Sequence, residues 1–279
     1  MRGRWIPVCR GCLKRLAATP RCWAVLIVSA LYLEDVFAPI RAMLVAEGMK
    51  ISLCGLMVFL LNDTAFTTFV ALAYLALLFD APCTDEMQRY YMLRTGRGGW
   101  ARGQLAYGGC VAAAYLLTLT LLAGLFSLPY AEFSLNWSEG ILAFADDFAF
   151  ETYDSMLNYD SWLIRSYVPA AAWGLETLLH MLALMLLGAA LMNLNALVDR
   201  RLGFAAVAAP VALDMLLEQF FGAPVYYFSP LTLSRLSGLD YGDGMGRPPL
   251  IYALIVLTAG TALLSALFVR AVKRRELRL

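Results

Sequence analysis

Apolar runs of about 20 residues recur along the chain, and each is long enough to cross the hydrocarbon core of a bilayer as a helix. Of the 279 residues, 61% are hydrophobic and only 15% are charged. Soluble domains are nearer half apolar and a quarter charged, so this composition excludes a disordered chain and argues strongly against a soluble enzyme. The formal net charge of +1 gives no global field that would attract nucleic acid. We therefore expect a single all-α bundle in a membrane.

Six membrane spans are predicted from these runs. They cover residues 22–45, 64–79, 105–128, 170–194, 204–221 and 250–269. A further apolar stretch at 51–61 is interrupted by Asn62 and Asp63. We interpret it as a short interfacial or re-entrant helix, with Asp63 near the N-cap of the second span.

The placement of lysine and arginine predicts the orientation. Most basic residues lie in four segments that we assign to the cytosol: 1–21, 80–103, 200–201 and 270–279. These hold 17 of the 22 Lys and Arg residues, so the positive-inside rule places both termini in the cytosol. Acidic residues crowd the proposed outer loop at 129–169. We expect a basic N-terminal segment (1–21) before an uncleaved anchor, then one transmembrane domain (22–279) with an outer re-entrant segment at 223–248.

Motifs for metal, nucleotide or nucleophilic chemistry are missing from the sequence. Cys9 and Cys12 form one CxxC without a second pair, and the single histidine, His180, is remote, so a four-ligand zinc site cannot be completed locally. None of the three lysines stands in a P-loop pattern. We predict no catalytic residue, no metal and no cofactor bound by this chain.

The predicted inner loop, residues 80–103, is the most informative soluble segment. Thr84 and Asp85 can cap a short helix. One face of that helix carries Met87, Tyr90, Tyr91 and Arg94 at helical spacing. This pattern suits docking to a cytosolic partner, and it also suits a helix lying on headgroups with its arginines on lipid phosphates. The spacing leaves both interpretations open.

Four stretches resemble bacterial ABC-2-type transporter permeases. They are LLFDAP at 77–82, RTGR at 94–97, WARGQLAY at 100–107 and YYFSPLT at 226–232. The resemblance implies a permease subunit in the bacterial cell membrane, paired with an identical copy or a second permease, and powered by ATP that a separate nucleotide-binding subunit hydrolyses. It implies that this ATPase docks at Asp85, Glu86, Tyr90, Tyr91, Arg94 and Arg97. It also implies an outer re-entrant element at 224–236.

Four ionisable residues interrupt the fourth and fifth spans: Glu176, His180, Asp214 and Glu218. Such residues usually face a partner or a watery cavity. With a rise of about 1.5 Å per residue, His180 and Asp214 share the midplane and the two glutamates share the outer half. We predict that His180 and Asp214 form an ion pair and that Glu176 and Glu218 share a proton. Both a structural clamp and a solvated path for cargo or protons remain open.

Two further functions compete with the ATP-driven permease. A proton-coupled secondary transporter would use the four intramembrane residues as a relay and would need no ATPase. A membrane scaffold or immunity protein that transports nothing would keep its activity after the sequence of the inner loop is scrambled. Among these functions the resemblance favours the permease subunit of an ABC exporter.

Overall fold

The computed structural model describes residues 5–132, 134–145, 161–240 and 246–274. The helices, numbered in chain order, are α1 (Ile6–Ala17), α2 (Pro20–Glu47), α3 (Leu53–Asn62), α4 (Thr64–Leu77), α5 (Glu86–Thr95), α6 (Arg97–Ser127), α7 (Glu139–Ala145), α8 (Ser161–Ser166), α9 (Pro169–Leu197), α10 (Arg200–Phe221), α11 (Ala223–Phe228) and α12 (Leu250–Arg274). The all-α class is confirmed, apart from a two-residue parallel ladder of β1 (Ile51–Ser52) and β2 (Ala131–Glu132). Residues 133 and 146–160 of the acidic outer loop and residues 241–245 of the re-entrant segment lie outside the described residues.

Five helices are each long and apolar enough to cross a bilayer: α2, α6, α9, α10 and α12. The pair α3 and α4 meets the same test jointly but is bent by 83°, which brings the number to six if the pair counts as one span. Large apolar side chains such as Leu31, Leu121 and Ile255 remain exposed on the long helices. An exposed apolar surface of this kind fits a lipid environment, so the structure supports a membrane-embedded bundle.

Capping residues set the helix boundaries where the sequence predicts them. Pro20 occupies the first turn of α2, and Gly48 ends that helix with φ +67°, a left-handed conformation that favours glycine. The Ser52 hydroxyl accepts a hydrogen bond from the Gly55 amide at the start of α3. Asp63 caps α4 by accepting from Phe66 N at 2.7 Å, which confirms its predicted role. Because Asp63 is itself extended, the chain turns sharply between α3 and α4.

Helix α9 is the centre of the bundle and packs against α3, α4, α6, α10 and α12. The buried Tyr74 of α4 reaches between α6 and α9 and donates a hydrogen bond to Gly108 O at 3.2 Å. A Cβ on Gly188 of α9 would lie 2.4 Å from the Tyr74 hydroxyl, so only glycine permits this approach. Close packing at Tyr74 therefore fixes α4 against both neighbours.

Helix α1 lies along the start of α6. Its buried face consists of Val8, Cys9, Cys12 and Leu16. A Cβ on Gly103 of α6 would stand 2.5 Å from the Val8 side chain and 2.9 Å from the Trp5 carbonyl, so α1 and α6 touch through this glycine. We call the end of the bundle that carries α1, α5 and Arg274 the inner end, following the positive-inside prediction.

Candidate functional site

The inner loop (80–103) folds at the inner end into α5 and the first turns of α6. Asp85 caps α5 as predicted, because its Oδ1 accepts from Gln88 N at 2.8 Å. Gly96, with φ +77°, is the one residue between the two helices. Helix α6 begins at Arg97, so the last residues of the predicted inner loop are already helical.

A buried polar network holds the inward side of α5 against α6. Gln88 is buried, and its Oε1 accepts from Trp100 Nε1 at 3.2 Å and from Gln104 Nε2 at 3.3 Å. Asp85 forms an ion pair with Arg15 of α1 at 2.9 Å. The short helix is thus anchored to both α1 and α6 along one side.

The opposite side of α5 is exposed and partly apolar. Leu93 is 87% exposed, Met87 59% and Tyr90 55%. Around them the exposed charged residues are Glu86, Arg89, Arg94 and Arg97. Tyr91, predicted on the same face, is half-buried beside Gly11 of α1, and Leu93 takes its place on the surface. Of the other predicted docking residues, Glu86, Tyr90, Arg94 and Arg97 lie on or beside this exposed face, whereas Asp85 lies on the anchored side and pairs with Arg15.

The base of the inner loop is tied to three further helices. Asp80 pairs with Arg21 of α2 at 2.8 Å and with Arg200 of α10 at 3.6 Å. Asn195 of α9 donates to the carbonyl oxygens of Phe79 and Ala81 at 3.2 and 2.7 Å. A displacement of this loop would therefore change its contacts with α2, α9 and α10 as well as with α6.

Two cysteines meet behind the inner loop. The pKa of the buried Cys83 thiol is lowered overall. A hydrogen bond from Cys12 is the main cause, and the charge of Arg15 lowers the pKa further, whereas burial acts in the opposite direction. The same contact, together with burial, raises the pKa of Cys12.

Cys9, the other member of the CxxC, lies beside Cys110 with an Sγ–Sγ distance of 3.8 Å. Within the described ranges no three His, Cys, Asp or Glu residues form a group that could hold a metal ion.

A second candidate site is a polar cluster inside the bundle, formed by Asn62, Asp63, Glu176, His180, Asp214, Glu218 and Arg235. Asn62 lies at the break between α3 and α4, and both the nitrogen and the oxygen of its side-chain amide form hydrogen bonds. Its Nδ2 donates to Val58 O at 2.9 Å and to Glu176 Oε1, and its Oδ1 accepts from Ser237 N at 2.8 Å. The break in the span thus supplies polar partners to α9 and to the segment before α12.

His180 of α9 is engaged at both ring nitrogens. Its Nδ1 lies 2.9 Å from Glu176 O, and its Nε2 lies 3.4 Å from the Thr67 hydroxyl of α4. The predicted ion pair with Asp214 was therefore wrong. Sequence depth placed the two residues at one level, but the side chain of His180 turns towards α4 instead of α10.

Arg235 is the residue that sequence reasoning missed. It lies in the predicted outer re-entrant segment (223–248), yet it is only 3% exposed, between the two 3-10 turns Thr232–Ser234 and Leu236–Gly238. Its Nη2 pairs with Glu218 at 2.7 Å, and its Nη1 donates to the Thr64 hydroxyl. The predicted proton sharing between Glu176 and Glu218 was wrong, because the first is bound by Asn62 and the second by Arg235.

The cluster carries more carboxyl groups than cations. Asp63, Glu176 and Asp214 are buried and Glu218 is half-buried, and Arg235 interacts electrostatically with Asp63, Asp214 and Glu218. One guanidinium cannot neutralise four carboxylates, so the cluster must contain protons or recruit cations. Oδ2 of Asp214, Oε2 of Glu176 and Nε of Arg235 are buried without a hydrogen-bond partner.

Comparison with known proteins found no match. No family model matches the chain, and neither a curated protein nor a solved structure is significantly similar to it. The function must therefore be argued from the inner loop and the polar cluster themselves.

Proposed function

We propose that this chain is the membrane-spanning permease subunit of an ABC transporter, an exporter driven by ATP that a separate subunit hydrolyses. The observation that carries the proposal is the two-sided character of α5. One side is held to α1 and α6 by Gln88 and Asp85, and the other presents Met87, Tyr90 and Leu93 to solvent. Burial of a large apolar side chain contributes about 1.5–3 kcal/mol, so this face is costly to leave exposed without a partner.

The order of elements is consistent with the resemblance to ABC-2 permeases. An amphipathic helix precedes the first span, a short inner helix follows the second, and a buried irregular segment precedes the last. Since Gly96 alone separates α5 from α6, a push on α5 would act directly on a helix of 31 residues. Coupling of this kind requires two states of the bundle that differ in their contacts with the ATPase.

The test is co-expression with a candidate ATPase that carries a Walker A motif, followed by ATP hydrolysis and transport in proteoliposomes. Tyr90→Ala with Leu93→Ala is expected to leave the bundle folded and to abolish co-purification and coupled hydrolysis. Leu202→Ala is the matched control, because Leu202 is 65% exposed at the same end of the bundle but lies on α10. Unchanged coupling in the double variant would refute the proposed docking face.

A proton-coupled secondary transporter is the second candidate, and the break between α3 and α4 favours it. Discontinuous helices with irregular backbone beside titratable side chains are typical of secondary transporters. The break falls at the predicted interruption, where Asp63 caps α4. This candidate predicts uptake or efflux driven by an imposed pH gradient without any ATPase, and loss of that transport in Glu176→Gln.

A further inference from the structure

A groove of about 530 Å³ lies between α6 and α12 at the inner end, and none of its lining residues belongs to the polar cluster. Four of its lining residues are cations: Arg102, Arg270, Lys273 and Arg274. Among the residues that the structure describes, no acidic one lines it, and none of the four cations forms an ion pair with any of them. Like charges gathered in one groove repel each other, so an anion bound there would stabilise the bundle.

The groove changes from charged to apolar in the direction of the membrane. On α6, Leu105 stands one turn above Arg102, and on α12, Ala266 and Val269 stand above Arg270. The two helices run in opposite directions, yet both place their cations at the inner end. The charged and apolar parts of the groove are therefore layered parallel to the membrane surface.

Beyond the groove, further exposed apolar side chains continue along α12. On α12, Leu263 is 61% exposed and Leu267 46% exposed, and the candidate span of which they are part is 11% buried inside the bundle. A soluble anion would use only the four cations. A molecule with an anionic headgroup and an acyl chain matches the cations and the apolar wall together.

We propose that this groove binds an anionic phospholipid, with the phosphate of its headgroup on Arg102, Arg270 and Lys273 and an acyl chain along Leu105 and Val269. The assignment does not depend on which transport mechanism the chain uses. Arg102 belongs to the inner loop, but the site differs from general headgroup contact by that loop because α12 supplies the other cations and the groove lies between two helices.

The test is lipid binding by the full chain in detergent, followed by native mass spectrometry. Phosphatidylglycerol is the anionic probe and phosphatidylcholine the zwitterionic one. Arg270→Gln with Lys273→Gln is expected to weaken phosphatidylglycerol binding about 30-fold, which is about 2 kcal/mol for two charges near the surface. Phosphatidylcholine binding is expected to stay within about twofold.

Arg10→Gln with Lys14→Gln is the matched control, since it removes the same charge from exposed positions of α1 at the same end. An equal loss of phosphatidylglycerol binding in this control would overturn the groove, because it would show only a general surface field. Arg102→Gln tests the same site from α6 and should weaken binding in the same direction. Inorganic phosphate that protects the wild-type chain against heat as well as phosphatidylglycerol does would overturn the lipid assignment.

Discussion

Replacement of Arg235 by glutamine removes the guanidinium on which the polar cluster depends. The Arg235–Glu218 pair has an N–O distance of 2.7 Å, and its side chains are 4% and 19% exposed. Removing one partner from a buried ion pair costs about 3–5 kcal/mol, because the other charge stays buried and uncompensated. Here Asp63 and Asp214 also lose their nearby cation, so we expect about 4 kcal/mol or more for Arg235→Gln.

The matched control is Arg15→Gln at the inner loop. The Arg15–Asp85 pair has nearly the same N–O distance, 2.9 Å, but its side chains are 34% and 37% exposed. Pairs with that much solvent access contribute about 0.2–1 kcal/mol. The two variants remove the same group at the same separation, so the difference in their unfolding free energies isolates the effect of burial.

The assay is reversible unfolding in mixed micelles, followed by tryptophan fluorescence, with the double variant Arg235→Gln, Glu218→Gln completing the cycle. We expect the double variant to recover about 1–3 kcal/mol relative to the sum of the single changes, because Glu218 no longer needs a cation. Single-variant losses for Arg235 and Arg15 that agree within about 1 kcal/mol would refute the reasoning, since they would mean that water already screens the cluster.

Three smaller predictions concern individual contacts. Gly103→Ala should separate α1 from α6 and lower the melting temperature, whereas Gly174→Ala, with nothing within 4 Å of its Cβ, should be neutral or slightly stabilising in the same thermal scan. Asn62→Leu should destabilise the bundle by about 2 kcal/mol or more in micelle unfolding, because the buried Glu176 carboxyl group and the half-buried Ser237 amide lose their partner; a neutral effect would contradict the described network. Cys12→Ala should raise the pKa of Cys83, so that the pH of half-maximal alkylation, measured by mass spectrometry, moves upward; an unchanged profile would contradict the thiol contact.

Local features of this fold were predictable because local chemistry determines them. Asp63 and Asp85 cap helices in the structure as their sequence context indicates, and Asn62 marks the break at the end of α3. The exposed face of α5 follows from helical spacing, apart from the exchange of Tyr91 for Leu93. Each of these predictions needed only a few neighbouring residues.

The partners inside the polar cluster were not predictable in the same way. A rise of about 1.5 Å per residue gives the depth of a side chain but not the direction in which it points around the helix. His180 and Asp214 were predicted at the same depth, but the side chain of His180 contacts Thr67, whereas that of Asp214 interacts with Ser229 and Arg235. Arg235 lies between two 3-10 turns, where no helical period reveals a buried face. A lone cation in a segment of leucine, serine and threonine was the only signal available.

Helix α4 physically connects the two candidate sites. At one end of α4, Thr64 contacts Arg235 and Thr67 contacts His180. The helix has 14 residues and is therefore about 21 Å long. At its other end the chain continues into the base of the inner loop at Asp80. Between these ends Tyr74 is locked between α6 and α9, so α4 cannot bend freely. A displacement of the inner loop must therefore either move α4 as a rod, which would strain the Thr64 and Thr67 contacts, or break the Asp80 pairs first. In the ATP-driven interpretation the polar cluster is then the element that a stroke on α5 rearranges, and in the proton-coupled interpretation the same rod carries a change in the cluster towards the inner end.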